Sequence, residues 1–266
     1  MKPIEHTFVV LAYKESQYLE ECIQSVLNQA FPSKVIIGTS TRNEYIENMA
    51  DKYNLNIVEN EIKGGGNAVD FDFAWNAGDT ELVTIAHQDD TYDPTYSLRM
   101  VEAYKKHPDA TIIFTDYYEI RDGKKLYENR NLNIKRLLLT PLRWREWADQ
   151  RHVKRSVLSL GNSICCPAVT FCKKNIPYRS IFVNKEVGGN SDWAGWLKLA
   201  ETKGRFVFVE EALMGHRVHE ETHTSRDINA HIRSPQDLVM LEKFWPKPIA
   251  EVINHFYAKS EESNKL

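Results

Sequence analysis

The apolar positions of the first 120 residues alternate between two spacings. Thr7 to Ala12 is a continuous apolar run of strand length. Leu19, Cys22, Ile23, Val26 and Leu27 then recur at helical spacing. Pro32 and Ser33 break that helix, and Val35 to Gly38 reads as a second strand. Asn43 is placed to cap a second helix whose inner face is Ile46, Met49, Ala50 and Tyr53. Leu55 to Val58 reads as a third strand. The run Gly64-Gly65-Gly66 reads as a flexible turn, because it matches neither the P-loop nor the dinucleotide-binding pattern. A helix over about Asn67 to Ala77 leads into a strand over Glu81 to His87. Pro94 suits the first turn of a helix ending near Lys106, and Ala110 to Thr115 closes this half as a strand.

Strand–helix alternation of this kind predicts an α/β fold, a mostly parallel sheet with helices on both faces. Such sheets bind ligands at the carboxyl ends of their strands. The second half is less regular. A loop over Gly161 to Pro167 enters a strand at Ala168 to Cys172. Trp193, Trp196, Leu197 and Ala200 give helical spacing to Asp192–Glu201, and Arg205 to Val209 reads as a strand. Residues 131–155 combine Lys135, Arg136, Arg143, Arg145, Arg151, Lys154 and Arg155 with several leucines and with Trp144 and Trp147. Such a segment suits an amphipathic helix packed on the sheet, a cover over the active site, contact with a diphosphate-linked lipid acceptor, or peripheral contact with an anionic membrane surface.

Composition narrows the function classes. Of 266 residues, 42% are hydrophobic and 27% charged, as in ordinary globular chains, so disorder is excluded. A net charge of −3 argues against a nucleic-acid partner. No stretch approaches the roughly 20 apolar residues of a membrane helix. Met1 to His6 carries no apolar signal region, so a cytoplasmic location is expected, at most at the inner face of the membrane. The four cysteines lack zinc spacing and read as reduced thiols. Cys165-Cys166-Pro167 has no cationic neighbour to activate a nucleophile and reads as packing.

The stretch with most chemical content is Ile85-Ala86-His87-Gln88-Asp89-Asp90-Thr91-Tyr92-Asp93-Pro94. An apolar strand runs directly into two carboxylates and a proline-led helix. Adjacent carboxylates at a strand end suit a hard divalent cation that shares its shell with phosphate oxygens. The plainer alternatives are solvated loop aspartates or helix caps. Further on, His216-Arg217-Val218-His219-Glu220-Glu221-Thr222-His223 is dense in ligand types without zincin spacing.

Three segments in order resemble family 2 of the glycosyltransferases, which has the GT-A fold. Leu11-Ala12-Tyr13-Lys14-Glu15 with Tyr18-Leu19 and Ser25 to Gln29 is similar to the family's first strand and helix. His87-Gln88-Asp89-Asp90 with Pro94 is similar to its acidic motif. Ser191-Asp192-Trp193 through Ala200 is similar to the segment bearing its catalytic base. The resemblance spans about residues 7–225. It implies an inverting transfer of a sugar from a nucleotide-sugar to a hydroxyl of a glycan or lipid-linked acceptor, in bacterial surface-polysaccharide synthesis.

Carried over, Asp90 binds the divalent metal, Mn²⁺ or Mg²⁺, and Asp89 holds the ribose or helps hold the metal. Ala12, Tyr13 and Glu15 meet the nucleoside, with Tyr13 stacking on the base. Arg217 pairs with phosphate, His219 joins metal or phosphate, and Asp192 is the general base, a role compatible with capping its own helix. The nucleotide half is expected at 1–115, the acceptor half at 116–225 and a helical tail at 226–266.

Two departures stand out. After its second strand the family carries an aspartate that reads uracil, where this chain has Gly38-Thr39-Ser40-Thr41; a UDP donor then rests on the hydroxyls of Thr39 and Ser40. Before the acidic motif the family has an arginine, where this chain has Asp70-Phe71-Asp72-Phe73, so Asp72 or Asp70 is expected to contact the donor. The rival readings are a sugar nucleotidyltransferase, for which the expected basic, glycine-rich loop after the first strand is missing, and a non-catalytic nucleotide- or glycan-binding module.

Overall fold

The computed structural model describes residues 3–184, 186–219 and 233–262. The first half runs β1 (His6–Ala12), α1 (Leu19–Leu27), β2 (Lys34–Thr39), α2 (Glu44–Tyr53), β3 (Asn56–Glu59), α3 (Gly66–Ala77), β4 (Leu82–His87), β5 (Thr91–Tyr92) and α4 (Tyr96–Lys106). It follows the alternation expected from the apolar spacing, and the Asn43 side chain caps α2 by accepting the Ile46 N–H at 2.9 Å. The chain continues through β6 (Ala110–Arg121), β7 (Lys124–Leu126), α5 (Arg130–Leu138), α6 (Arg151–Ser156), β8 (Val169–Cys172), α7 (Ser191–Ala200) and β9 (Arg205–Arg217). Two C-terminal helices follow, α8 (Arg233–Leu241) and α9 (Lys247–Glu262). Among the described residues no helix is long and apolar enough to cross a membrane.

One sheet joins the strands in the order β3-β2-β1-β4-β8-β6-β9-β5, with β7 on β6. The pairs β2–β3, β1–β2, β1–β4 and β6–β9 are parallel, whereas β8 lies antiparallel between β4 and β6. Successive residues of β1 face opposite layers. Phe8 and Val10 pack with Leu19, Ile23 and Met100 of α1 and α4. Val9 packs with Ile85, Phe171, Trp193 and Trp196, which include residues of α7. A sheet buried on both faces explains why its strands read as unbroken apolar runs.

Two strands are longer than the sequence pattern suggests. β6 passes Thr115 to reach Arg121, and β9 passes Val209 to reach Arg217. Thr115 pairs with Val209 and Asp116 with Ala212, so Glu210 and Glu211 bulge out of the ladder. A bulge adds unpaired residues and then resumes pairing. The polar Asp116 and Glu210-Glu211 mark that bulge rather than strand ends.

The basic segment packs on this sheet. Arg136 pairs with Asp116 at 2.7 Å, Arg143 with Glu210 at 3.1 Å and Arg155 with Glu201 at 2.6 Å, and Arg151 also reaches Glu201. The Lys154 ammonium is buried, donates to the carbonyls of Thr202 and Gly204, and is brought down to about 8 by that burial. Leu137, Trp144 and Trp147 remain exposed.

A polar seam crosses the apolar interior at the β1–β4–β8 junction. His6 bonds Ser33 Oγ at 2.8 Å and Thr84 Oγ1 at 2.9 Å. Thr84 meets its register partner Thr170 at 2.6 Å, and Tyr96 donates to the Ala168 carbonyl at 3.0 Å. Burial lowers His6 to about 3, so it stays neutral in the fold, while in the unfolded chain it protonates near its ordinary value of 6.5. The unfolded state therefore binds the extra proton. The contribution of His6 is complete above about pH 6.5 and declines toward pH 3, by up to about 1.4 kcal/mol per pH unit. Urea midpoints measured from pH 7 to 5 should fall, and His6→Gln should flatten that slope.

Candidate active site

The carboxyl ends of β1, β2, β4 and β9 converge on one crevice. β1 ends at the buried Ala12 and presents the exposed ring of Tyr13. The Tyr13 backbone is gripped from β4. Its N–H donates to Gln88 Oε1 at 2.9 Å, and Gln88 Nε2 donates back to its carbonyl at 3.2 Å. Lys14 then takes a left-handed conformation, φ 55°, with its N–H donating to Thr41 Oγ1 at 2.6 Å. Glu15 lies exposed beyond this turn. Ser16 turns inward, donating to Asp89 Oδ1 at 2.8 Å while its carbonyl accepts from the Tyr45 hydroxyl.

Asp89 and Asp90 are adjacent but differ in environment. Asp90 is almost wholly buried, and its Oδ1 accepts the Arg217 backbone N–H at 2.9 Å. Burial pushes its carboxyl well above the usual range, against the pull of that N–H. Asp89 keeps about a quarter of its side chain exposed, with Oδ2 lying 3.4 Å from His219 Nε2. That nitrogen is buried without a hydrogen-bond partner among the described residues. Asp89 therefore meets His219, whereas Asp90, expected as the metal ligand, has its Oδ1 on the main chain of β9.

An orphaned imidazole nitrogen beside a carboxylate oxygen fits a divalent cation. Among the described residues no three acids, histidines or cysteines converge on one point, and Asp89 with His219 are the two that would hold a cation there.

Arg217 is also committed. Nε donates to the Asp89 carbonyl at 2.9 Å, a terminal nitrogen reaches Glu21 at 2.6 Å, and the guanidinium lies 4.3 Å from the Tyr18 ring centroid. The Tyr18 ring in turn packs on His219 at 5.2 Å. The arginine expected on phosphate here holds the Asp89–Asp90 turn. Glu220 to His223 of the same motif lie outside the described residues. His87 stacks on Phe71 at 4.9 Å, and burial lowers it to about 4.

Asp192 sits in the first turn of α7. Its Oδ1 accepts the Trp193 N–H at 2.8 Å and its Oδ2 accepts Asn162 Nδ2 at 2.7 Å. The half-buried Cys165 feels the charges of both Asp90 and Asp192. Burial raises its thiol, and the charges of Lys135, Asp90, Asp192 and Glu119 all act on it. A thiol raised this way is no nucleophile.

Two of the expected donor contacts take other partners. Thr39 is buried, with Oγ1 accepting the Thr41 N–H at 3.0 Å. Asp72 faces away from the crevice. Its oxygens accept from Ser180 Oγ and from the backbone N–H groups of Ile181, Phe182 and Val183, at 2.6 to 3.1 Å. It anchors the 180–183 loop under α7. Ser40 instead donates to Asp70 Oδ2 at 3.0 Å. Ser16, Gln88 and Asn162 are site residues that apolar spacing could not flag, because each acts through a partner 30 or more residues away.

A hollow of about 1320 Å³ lies at the opposite, amino end of the sheet, between His6, Lys34, Asp79 and Tyr104. None of the acidic-turn residues, Arg217, His219 or Asp192 lines it, and the chemistry places the site at the carboxyl ends.

The family model for glycosyl transferase family 2 matches residues 7–174. The chain belongs to that family. Family 2 membership makes it a glycosyltransferase and removes the nucleotidyltransferase and binding-module alternatives. No curated protein matches this glycosyltransferase in sequence. Solved structures share its fold. Residues 1–349 of TarS from S. aureus in complex with UDP-GlcNAc are 15% identical with a TM-score of 0.59, covering 91% of this chain and 71% of that one. The mannosyltransferase PcManGT from Pyrobaculum calidifontis, in complex with GDP-Man and Mn²⁺, is 16% identical with a TM-score of 0.59, covering 98% and 70%. At such identities the likeness establishes the GT-A fold of this family 2 enzyme.

Removing the Asp72 carboxylate would strand three backbone donors and a hydroxyl. Asp72→Ala should lower unfolding free energy by about 3 kcal/mol or more in urea titration, with Asp72→Asn recovering part of it.

Proposed function

We propose that the enzyme is a metal-dependent inverting glycosyltransferase. It moves a sugar from a UDP- or GDP-linked donor to a hydroxyl of a glycan or lipid-linked acceptor, at the cytoplasmic face of the membrane in surface-polysaccharide synthesis. The observation that carries this reading is the Asp89–His219 pair, a carboxylate oxygen beside an imidazole nitrogen without a partner among the described residues, on the acidic motif of a family 2 chain. The solved relatives with UDP-GlcNAc and with GDP-Man and Mn²⁺ support a nucleotide-sugar donor.

In this reading Asp89 and His219 would hold the metal, which would supply positive charge to the departing nucleoside diphosphate. Tyr13, held by Gln88, offers a face to the base, and Glu15 flanks it. Arg217 fixes the Asp89–Asp90 turn. Asp192, oriented by Asn162, takes the proton from the acceptor hydroxyl as its oxygen bonds to the anomeric carbon. The bond from that carbon to the diphosphate oxygen breaks on the opposite face, and its electron pair leaves with the nucleoside diphosphate. Each Asp192 oxygen accepts one hydrogen bond, which leaves lone pairs free for that proton.

Titration with UDP and GDP, each with Mn²⁺ and with EDTA, tests the donor site. One of them should bind only with metal, and no binding of either would sink the reading. Asp89→Asn should weaken metal-dependent binding about tenfold or more, whereas Asp90→Asn, which keeps an acceptor for the Arg217 N–H, should stay within about twofold. Asp192→Asn should bind nucleotide normally but turn over about 10²-fold or more slowly; full turnover would remove it as the base.

Exposed Leu137, Trp144 and Trp147 are the surface proposed for peripheral contact with a membrane carrying the acceptor. The protein should float with anionic liposomes at low salt and lose that binding on Trp144→Ser with Trp147→Ser. Absence of flotation at any salt would end the membrane proposal.

A further inference from the structure

Family 2 resemblance leads one to look for a base-reading aspartate after β2, and this chain has none there. The structure nevertheless brings a carboxylate to that place from another element. Asp70 lies one turn into α3. Its Oδ2 accepts from Ser40 Oγ at 3.0 Å, and its Oδ1 accepts from Asn60 Nδ2 at 2.9 Å. Asn60 follows β3, and its backbone N–H is bonded to the Thr39 carbonyl at 2.8 Å. Asp70 is thus fixed at the carboxyl ends of β2 and β3. The adjoining turn is closed by the Lys14 N–H on Thr41 Oγ1, and that turn carries the exposed Tyr13 ring.

The contrast with Asp72 is informative. Two residues along a helix turn the side chain by about 200°, so the two carboxylates face opposite ways. Asp72 accepts from four donors and is saturated. Asp70 accepts from two neutral donors among the described residues and is half-buried. A carboxylate offers about four acceptor positions, so about two of them stay open. Ser40 and Asn60 aim the group without neutralising it.

We propose that Asp70 reads the nucleobase of the donor, with Ser40 and Asn60 as its positioning residues. This rests on the nucleotide-sugar reading above. An anionic acceptor selects bases with a ring N–H: uracil and thymine at N3, guanine at N1. It repels the ring lone pairs that cytosine and adenine present at the corresponding positions. A helix residue thereby does what a strand-end residue would otherwise do.

The test is calorimetric titration of the full-length protein with UDP, GDP, CDP and ADP in Mn²⁺, with wild type and Asp70→Asn, together with UDP methylated at N3 and GDP methylated at N1. Wild type should favour UDP or GDP over CDP and ADP by about tenfold or more. Asp70→Asn should lose about tenfold or more for the favoured nucleotide while CDP stays within about twofold. Methylation should weaken wild type similarly and cost Asp70→Asn nothing further. If Asp70→Asn keeps the preference, or methylation leaves wild-type binding unchanged, the assignment of Asp70 is wrong while the donor-site reading stands. If wild type binds none of the nucleotides, both fall. Should Asp70→Asn fail to fold, the methylated nucleotides on wild type decide alone.

Discussion

The site depends on one latch, the end of β9 held against the end of β4. The Arg217 backbone N–H satisfies the buried Asp90, and its guanidinium holds the Asp89 carbonyl. A buried carboxyl without a donor is costly, so this contact constrains both strand ends at once. The latch sets the direction of Asp89 and brings His219 and the Tyr18 ring alongside it. β9 reaches that point because Glu210 and Glu211 bulge out of the ladder and let pairing with β6 resume as far as Ile120.

The same division of labour occurs twice. In Asp89–Asp90 and in Asp70–Asp72, one carboxylate of a close pair is taken up by main-chain donors and the other keeps open acceptor positions. Asp90 accepts from Arg217 and Asp72 from residues 181–183. Asp89 and Asp70 are each met by neutral side-chain donors, Ser16 for one and Ser40 with Asn60 for the other. Backbone donors fix the local frame, and hydroxyl and amide groups aim the remaining carboxylate without cancelling its charge.

Legibility in the sequence follows the same line. Apart from the two-residue β5, the order and type of elements up to Thr115 were readable because burial on alternate faces leaves local periodicity, and the Asn43 cap is a local contact. The lengths of β6 and β9 were not, because a polar bulge looks like a strand end until its partner is known. The acidic motif was readable as a motif. Which of its two aspartates turns outward was not, since that is decided by Arg217, 127 residues further on. Asp72 was taken for a donor contact for the same reason: its partners lie 108 to 111 residues away. Family resemblance pointed to Asp192 as the proposed base, and only the fold supplied Asn162 as the neighbour that bonds it.

The sequence distance across the latch has a consequence for synthesis. At about 5–20 residues per second, a ribosome adds the chain between Asp90 and Arg217 over roughly 6–25 seconds. During that interval β1 to β4 can pair and bury their apolar faces, while Asp89 and Asp90 lack the strand that holds their turn. A nascent chain therefore carries its acidic motif long before the partners from β9 arrive. The newborn protein would complete the turn proposed to meet metal and diphosphate late, once the last strand of the sheet has docked.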